Sequence, residues 1–182
     1  ILSASINDDK IAWYENDGSE GFMTHVITAS ANSAYSVFAI DMDGDGDVDV
    51  LSASQLDNKI AWYENDGSEG FTTHVISTSV DDARGVFAID LDGDGDIDVL
   101  STSLYDDMIS WHENLADAQP ISTPSGLPTY GLREWYQLGA DIDGETPGDK
   151  CGWSVSLSPD GSRVAIGAVQ TNGGAGYVRV YE

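Results

Sequence analysis

The chain has 182 residues, 41% of them hydrophobic, and carries 32 Asp and Glu against 7 Lys and Arg for a formal net charge of −25. This length and apolar content support a folded core, and the acidic excess excludes nucleic acid as a partner. So many carboxylates repel one another in a compact chain unless divalent cations neutralise them; a solvated acidic surface of the halophilic or marine kind is a compatible second reading.

The first residues, Ile1 to Ser5, lack the basic and then apolar pattern of an export signal, and the chain does not start with Met. The expectation is therefore that the native start, with any such signal, lies upstream. No run of about 18 apolar residues is present, so no membrane span is expected. The single cysteine, Cys151, has no partner for an internal disulfide and reads as a small buried hydrophobe.

Internal repetition dominates the chain as far as Asn114. Lys10-Ile11-Ala12-Trp13-Tyr14-Glu15-Asn16-Asp17-Gly18-Ser19-Glu20-Gly21-Phe22 recurs unchanged as Lys59 to Phe71 and, degraded, as Met108-Ile109-Ser110-Trp111-His112-Glu113-Asn114, so that Trp13, Trp62 and Trp111 fall 49 residues apart. Val37 to Leu51 returns at the same spacing as Val86 to Leu100, and Ile1 to Ser5 matches Val50 to Ser54, which places the first residue inside a repeat. One period holds four short β-like segments, Ser36 to Ile40, Val48 to Ala53, Lys59 to Glu64 and Phe71 to Ser77, separated by Asp, Asn and Gly clusters. Four short antiparallel strands recurring every 40 to 50 residues or so mark a propeller blade. In the third strand Ile11, Trp13 and Glu15 share one face and Ala12 and Tyr14 the other, and the repeated Trp reads as core between blades.

The third repeat lacks its last strand and runs into Leu115 to Thr129, which holds Pro120, Pro124 and Pro128 among Ser, Thr and Ala. Beyond it Arg133 to Leu138, Trp153 to Leu157, Arg163 to Ala168 and Tyr177 to Tyr181 alternate as strands, with a turn at Pro159 to Ser162. The fold class is all-β with almost no helix: a partial propeller with about four blades of four antiparallel strands visible.

Two loops carry chemistry. Asp41, Asp43, Asp45, Asp47 and Asp49 alternate over nine residues, and Asp90, Asp92, Asp94, Asp96 and Asp98 repeat them. Calcium takes six to eight hard oxygens, and carboxylates at loop positions 1, 3, 5 and 9 with a main-chain carbonyl at 7 supply most of them; magnesium demands a stricter octahedron. Gly44 and Gly46 admit the backbone turn this requires. An EF-hand would place Glu at position 12, where Ser52 and Ser101 stand, and a β-roll would repeat every nine residues. Both are excluded.

On these loops and strands the chain resembles the FG-GAP and VCBS repeat family, the calcium-bearing propeller blades also found in integrin α-subunit heads. The resemblance implies about two Ca²⁺ ions, side-chain oxygens from Asp41, Asp43, Asp45 and Asp49 and from Asp90, Asp92, Asp94 and Asp98, and main-chain carbonyls from Asp47 and Asp96. It implies loops joining the first and second strands of a blade, in a structural role. It divides the chain into a partial blade at 1–34, blades with calcium loops at 35–83 and 84–115, a Pro/Ser/Thr linker at 116–132, and an FG-GAP-like blade at 133–182. In that last blade Cys151-Gly152-Trp153 stands for the Phe-Gly start and Gly167-Ala168-Val169 for Gly-Ala-Pro, but the loop is shortened to Pro159-Asp160-Gly161 and no full calcium site is expected. Asp141, Asp143, Glu145 and Asp149 copy the spacing, yet Pro147 intrudes and the segment precedes the Phe-Gly position.

No nucleophile elbow, zinc-protease helix, phosphate loop or dinucleotide fingerprint is present. His25 and His74 are equivalent repeated positions and His112 replaces Tyr14 and Tyr63, which favours structural roles. Gly173, Gly174 and Gly176 read as a hairpin. The expected function is a calcium-stabilised recognition or adhesion module of a secreted or surface protein, meeting an extracellular protein or glycan, with further blades outside this chain and no catalysis. The alternative is the propeller scaffold of a carbohydrate-active enzyme of the polysaccharide lyase or dehydratase type, for which Arg133 with Tyr130 and Tyr136, or Lys150, are the non-repeated candidates.

Overall fold

A computed structural model describes residues 1–115, 135–137, 142–144, 148–158, 162–169 and 176–181. The 116–132 linker, Pro159-Asp160-Gly161, and Arg133 with Tyr130 lie outside the described residues. Every regular element among the described residues is a strand. The first sheet contains β1 (Leu2–Ser5), β2 (Lys10–Asn16) and β3 (Phe22–Thr28) in that order. The second contains β4 (Ala34–Ile40), β5 (Asp49–Ser54), β6 (Lys59–Asn65) and β7 (Phe71–Ser77). These four match the expected segments of one period to within two residues at each end.

The third sheet begins the same way with β8 (Ala83–Ile89), β9 (Asp98–Ser103) and β10 (Met108–Asn114). Its fourth place is taken by β11 (Trp135–Gln137), with Asn114 opposite Trp135, while β12 (Ile142–Asp143) pairs elsewhere along β10. The segment expected to open the C-terminal module thus lies against the third repeat and fills the place of its absent strand. The fourth sheet is β13 (Cys151–Leu157), β14 (Val164–Ala168) and β15 (Tyr177–Tyr181). All pairings are antiparallel, and no sheet closes on itself.

The sheets stack face to face in chain order, because period-2 strands present apolar residues on both faces. In β6, Ala61 and Tyr63 enter the core shared with the first sheet, while Ile60 and Trp62 enter the core shared with the third, beside Val86, Ala88 and Val99. A third core joins Leu100 and Ile109 to Cys151, Ile166 and Ala168 of the fourth sheet. Every residue of β5 and β9 is buried, as befits strands covered on both sides, whereas β1 at the end of the stack is only partly covered.

The same polar clasp fastens each sheet to the next. Asp9, Asn58 and Asp107, at equivalent hairpin turns and all left-handed with φ of 57°, 53° and 55°, use a side-chain oxygen to accept the N–H of Ser33, Asp82 and Lys150. The distances are 2.8, 3.1 and 3.0 Å, and Ser33, Asp82 and Lys150 are themselves left-handed. The third clasp falls at Lys150 although the period would place it at residue 131, so the fourth sheet docks as the others do across the intervening segment.

Repeated aromatic positions vary in burial. Trp62 is 1% exposed, Trp111 is half-buried against the third core, and Trp13 is half-buried and stacked on His25 at 4.1 Å. Trp62→Ala should lower the unfolding free energy by about 3–5 kcal/mol, the range for emptying a packed aromatic site, and Trp13→Ala by clearly less. Urea unfolding of the two variants measures the difference.

Candidate metal centre

The two acidic loops connect β4 to β5 and β8 to β9, so each ties together the first two strands of its sheet. The local fold follows from short-range hydrogen bonds that Asp side chains make to their own backbone. Asp41 Oδ1 accepts from Gly44 N at 2.8 Å and Oδ2 from Gly46 N at 3.0 Å; Asp43 accepts from Asp45 N at 3.2 Å and Asp45 from Asp47 N at 2.9 Å. The second loop repeats all four, from Asp90, Asp92 and Asp94, at 2.7 to 3.2 Å. Gly44 and Gly46 sit at φ of 75° and 95°, where an L side chain would be strained.

The last aspartate of each loop is a brace. Asp49 is 1% exposed and accepts from Met42 N at 2.9 Å and from Asn65 N at 2.7 Å, joining the start of the loop to the third strand of the sheet. Asp98 is 2% exposed and takes Leu91 N at 3.1 Å and Asn114 N at 2.9 Å. Burial raises the Asp49 carboxyl above its ordinary value, against the pull of those N–H donors. Burial pushes Asp98 up to about 6, with the charges of Asp92 and Asp94 adding to it.

Of the ten aspartates, the fold brings together three from each loop. Oxygens of Asp41, Asp43 and Asp49 lie within 4.8 Å of one another, as do those of Asp90, Asp92 and Asp98. These two clusters could hold a metal ion, and their donors are all hard oxygens. The residues fit such an ion: each carboxylate offers about four lone-pair sites, and the N–H bonds described leave several open. Asp45, Asp47, Asp94 and Asp96 stand outside the clusters; the Asp47 carboxylate instead lies where a side chain on Gly67 would reach, 2.5 Å from its Cβ position.

Asn65 and Asn114 belong to the arrangement and were not among the residues singled out from sequence. Besides bonding the brace, their side chains donate to Val48 O at 3.2 Å and Ile97 O at 3.1 Å, closing the far end of each loop. Their signal was the repeated Asn ending the Trp-containing strand. In the alternative acidic segment, Asp141 and Glu145 lie outside the described residues. Asp149 is buried and accepts from Cys151 N and the Tyr177 hydroxyl, at 3.0 and 2.6 Å.

The histidines serve the sheets. His25 and His74 stack on Trp13 and Trp62 and reach Glu15 and Glu64 across the strands, at 3.2 and 2.6 Å. His112 bonds Ser101 at 2.8 Å where Tyr63 bonds Ser52 at 3.2 Å.

The raised Asp98 pKa has a signed consequence. Between its unfolded value of 3.8 and about 6 the folded chain holds a proton that the unfolded chain has lost. Without divalent cations, stability should therefore fall as pH rises through that window, and Asp98→Asn should remove this part of the slope. Urea unfolding at a series of pH values in chelator checks it.

The acidic loops and their flanking strands are also where the comparison with known families falls. The family model described as FG-GAP-like repeat matches residues 1–52 and again 41–101, covering both loops in full. No curated protein matches the chain. With more than half its length matched by that model and its repeats folded as antiparallel sheets, the chain belongs to the FG-GAP-like repeat family.

Proposed function

We propose that the chain is a calcium-stabilised arc of a β-propeller that serves as a recognition or adhesion module of a secreted or cell-surface protein. The observation that carries this reading is the pair of identical acidic clusters, each with three carboxylate oxygens within 4.8 Å, at the ends of β4 and β8. An all-oxygen donor set of carboxylates suits Ca²⁺ above Mg²⁺, which holds its water and demands near-ideal octahedral geometry. About two ions would offset part of a formal charge of −25 and relieve the repulsion inside each loop.

The propeller arc is supported by the clasp that repeats at Ser33, Asp82 and Lys150 and by the regular stacking of consecutive sheets. Further blades beyond this chain would complete the ring. A calcium requirement suits the extracellular side, where modules of low calcium affinity remain loaded.

Calorimetric titration with calcium should find two sites, Asp41→Ala and Asp90→Ala should each remove one, and chelator should lower the melting temperature. With calcium about 100-fold above Kd, two sites contribute about 5 kcal/mol, which for a chain of this size is about 10–20 °C. Melting that ignores both calcium and chelator would overturn the reading.

A further inference from the structure

The strands that start the second, third and fourth sheets share an irregularity near their first residues. β4 breaks register between Ala34 and Ser36, β8 between Ala83 and Gly85, and β13 between Cys151 and Ser154. A bulge re-aims the side chain it carries. The bulged residues are Tyr35, Arg84 and the pair Gly152-Trp153; the residues just before them, Ala34, Ala83 and Cys151, pack in the cores while they do not.

These side chains meet. The Arg84 guanidinium carbon lies 4.3 Å from the centre of the Tyr35 ring and 5.5 Å from that of Trp153, and the Lys150 ammonium lies 5.9 Å from the Trp153 ring. Gly152 makes this possible: with φ of 87°, it presses so closely on the third sheet that a Cβ would meet Met108 O and the Thr102 Cβ at 3.1 Å. The chain then throws Trp153 outward, where it stays 38% exposed.

Two features separate this cluster from sheet packing. The positions around it repeat, Val37 to Asp41 against Val86 to Asp90, yet the bulges carry Tyr, Arg and Trp in turn. The charges are also unusual for this chain. Two of only 7 Lys and Arg converge here. Lys10 and Lys59 are each neutralised by the aspartate two residues earlier, at 3.0 and 2.7 Å, and Arg84 is paired with Asp82. Among the described residues no carboxylate lies within ion-pairing distance of the Lys150 ammonium, and the neighbouring Asp149 turns inward to Tyr177.

We propose that Tyr35, Arg84, Lys150 and Trp153 form a binding site for a saccharide that carries a carboxylate, a hexuronate unit. This assigns a ligand class to the recognition module proposed above and rests on that reading. Trp153 offers apolar ring surface against the C–H groups of a sugar, Lys150 a positive charge for its carboxylate, and Arg84 holds the two rings apart by stacking between them. A carboxylate alone would call for the cations without the exposed indole. The site lies at the starts of β4, β8 and β13 and the acidic loops follow the ends of β4 and β8, a seven-residue strand or about 20 Å away, so the sugar and the metal would occupy opposite ends of these strands.

The test uses the full chain at saturating calcium and about 0.15 M salt, where the field of the acidic surface is screened beyond about 8 Å. Trigalacturonate, a neutral trisaccharide and tetraglutamate are titrated by calorimetry, with melting temperature recorded alongside. Trigalacturonate should bind, and the other two should bind at least about tenfold more weakly. Trp153→Ala and Lys150→Gln should each weaken it about tenfold at unchanged melting temperature, and Lys150→Arg should restore it. Should Trp153→Ala disturb folding, the Lys150 pair decides. Equal binding of tetraglutamate or of the neutral sugar, or wild-type affinity in Lys150→Gln, overturns the site. Absence of any binding while calcium still raises the melting temperature overturns the site and leaves the module standing.

Discussion

A four-stranded sheet of strands six or seven residues long has two apolar faces here and cannot cover either by itself, so each sheet is stable only against its neighbours. This dependence orders the rest. It explains why Ile60 and Trp62 on one side of β6 and Ala61 and Tyr63 on the other are almost wholly buried, and why β5 and β9 carry no exposed residue. It also explains the clasps: once apolar faces fix the spacing, a turn oxygen at Asp9, Asn58 or Asp107 fixes the rotation of the next sheet by a directed bond.

Within that stack the acidic loops are organised by their own hydrogen bonds. Asp41 and Asp90 wrap their loops around their own N–H donors, and the buried Asp49 and Asp98 pin those loops to the third strand through Asn65 and Asn114. Such a loop arranges its donors in advance, which lowers the ordering cost of binding. It also buries one carboxyl among like charges, and Asp98 is raised by that burial first and by the charges of Asp92 and Asp94 after it. A divalent cation held by the cluster would offset that charge, where protonation would only remove it.

The sequence made most of this legible because repetition and period 2 are local signals. The strand segments, the Asp alternation and the two-faced Trp strand could all be read one residue at a time. Three features escaped, each for a physical reason. The place of β11 beside β10 is a long-range pairing made across the 116–132 segment, and nothing in Trp135 to Gln137 specifies its partner. The braces of Asp49 and Asp98 depend on burial, which separates them from Asp45 and Asp94 although all are the same residue in the same alternation. The bulges at Tyr35 and Arg84 lie inside the repeat, where attention to what recurs passes over what varies.

That last contrast bears on how function is distributed along a repeat. Residues that recur at every period are held by a demand that recurs with them, the packing of one sheet on the next, and a change there disturbs the whole stack. A bulged residue near the start of β4, β8 or β13 answers to no such demand, since its side chain turns out of the core that Ala34, Ala83 and Cys151 enter. Tyr35, Arg84 and Trp153 could therefore diverge without loss of fold, while successive sheets keep the three bulges within stacking distance. The acidic loops show the opposite arrangement: Asp41 to Asp49 and Asp90 to Asp98 keep all five aspartates, and each loop is braced within its own sheet. Recurrence thus marks one end of β4 and β8 and variation the other, and the stacking of successive sheets brings unlike side chains from separate repeats into contact.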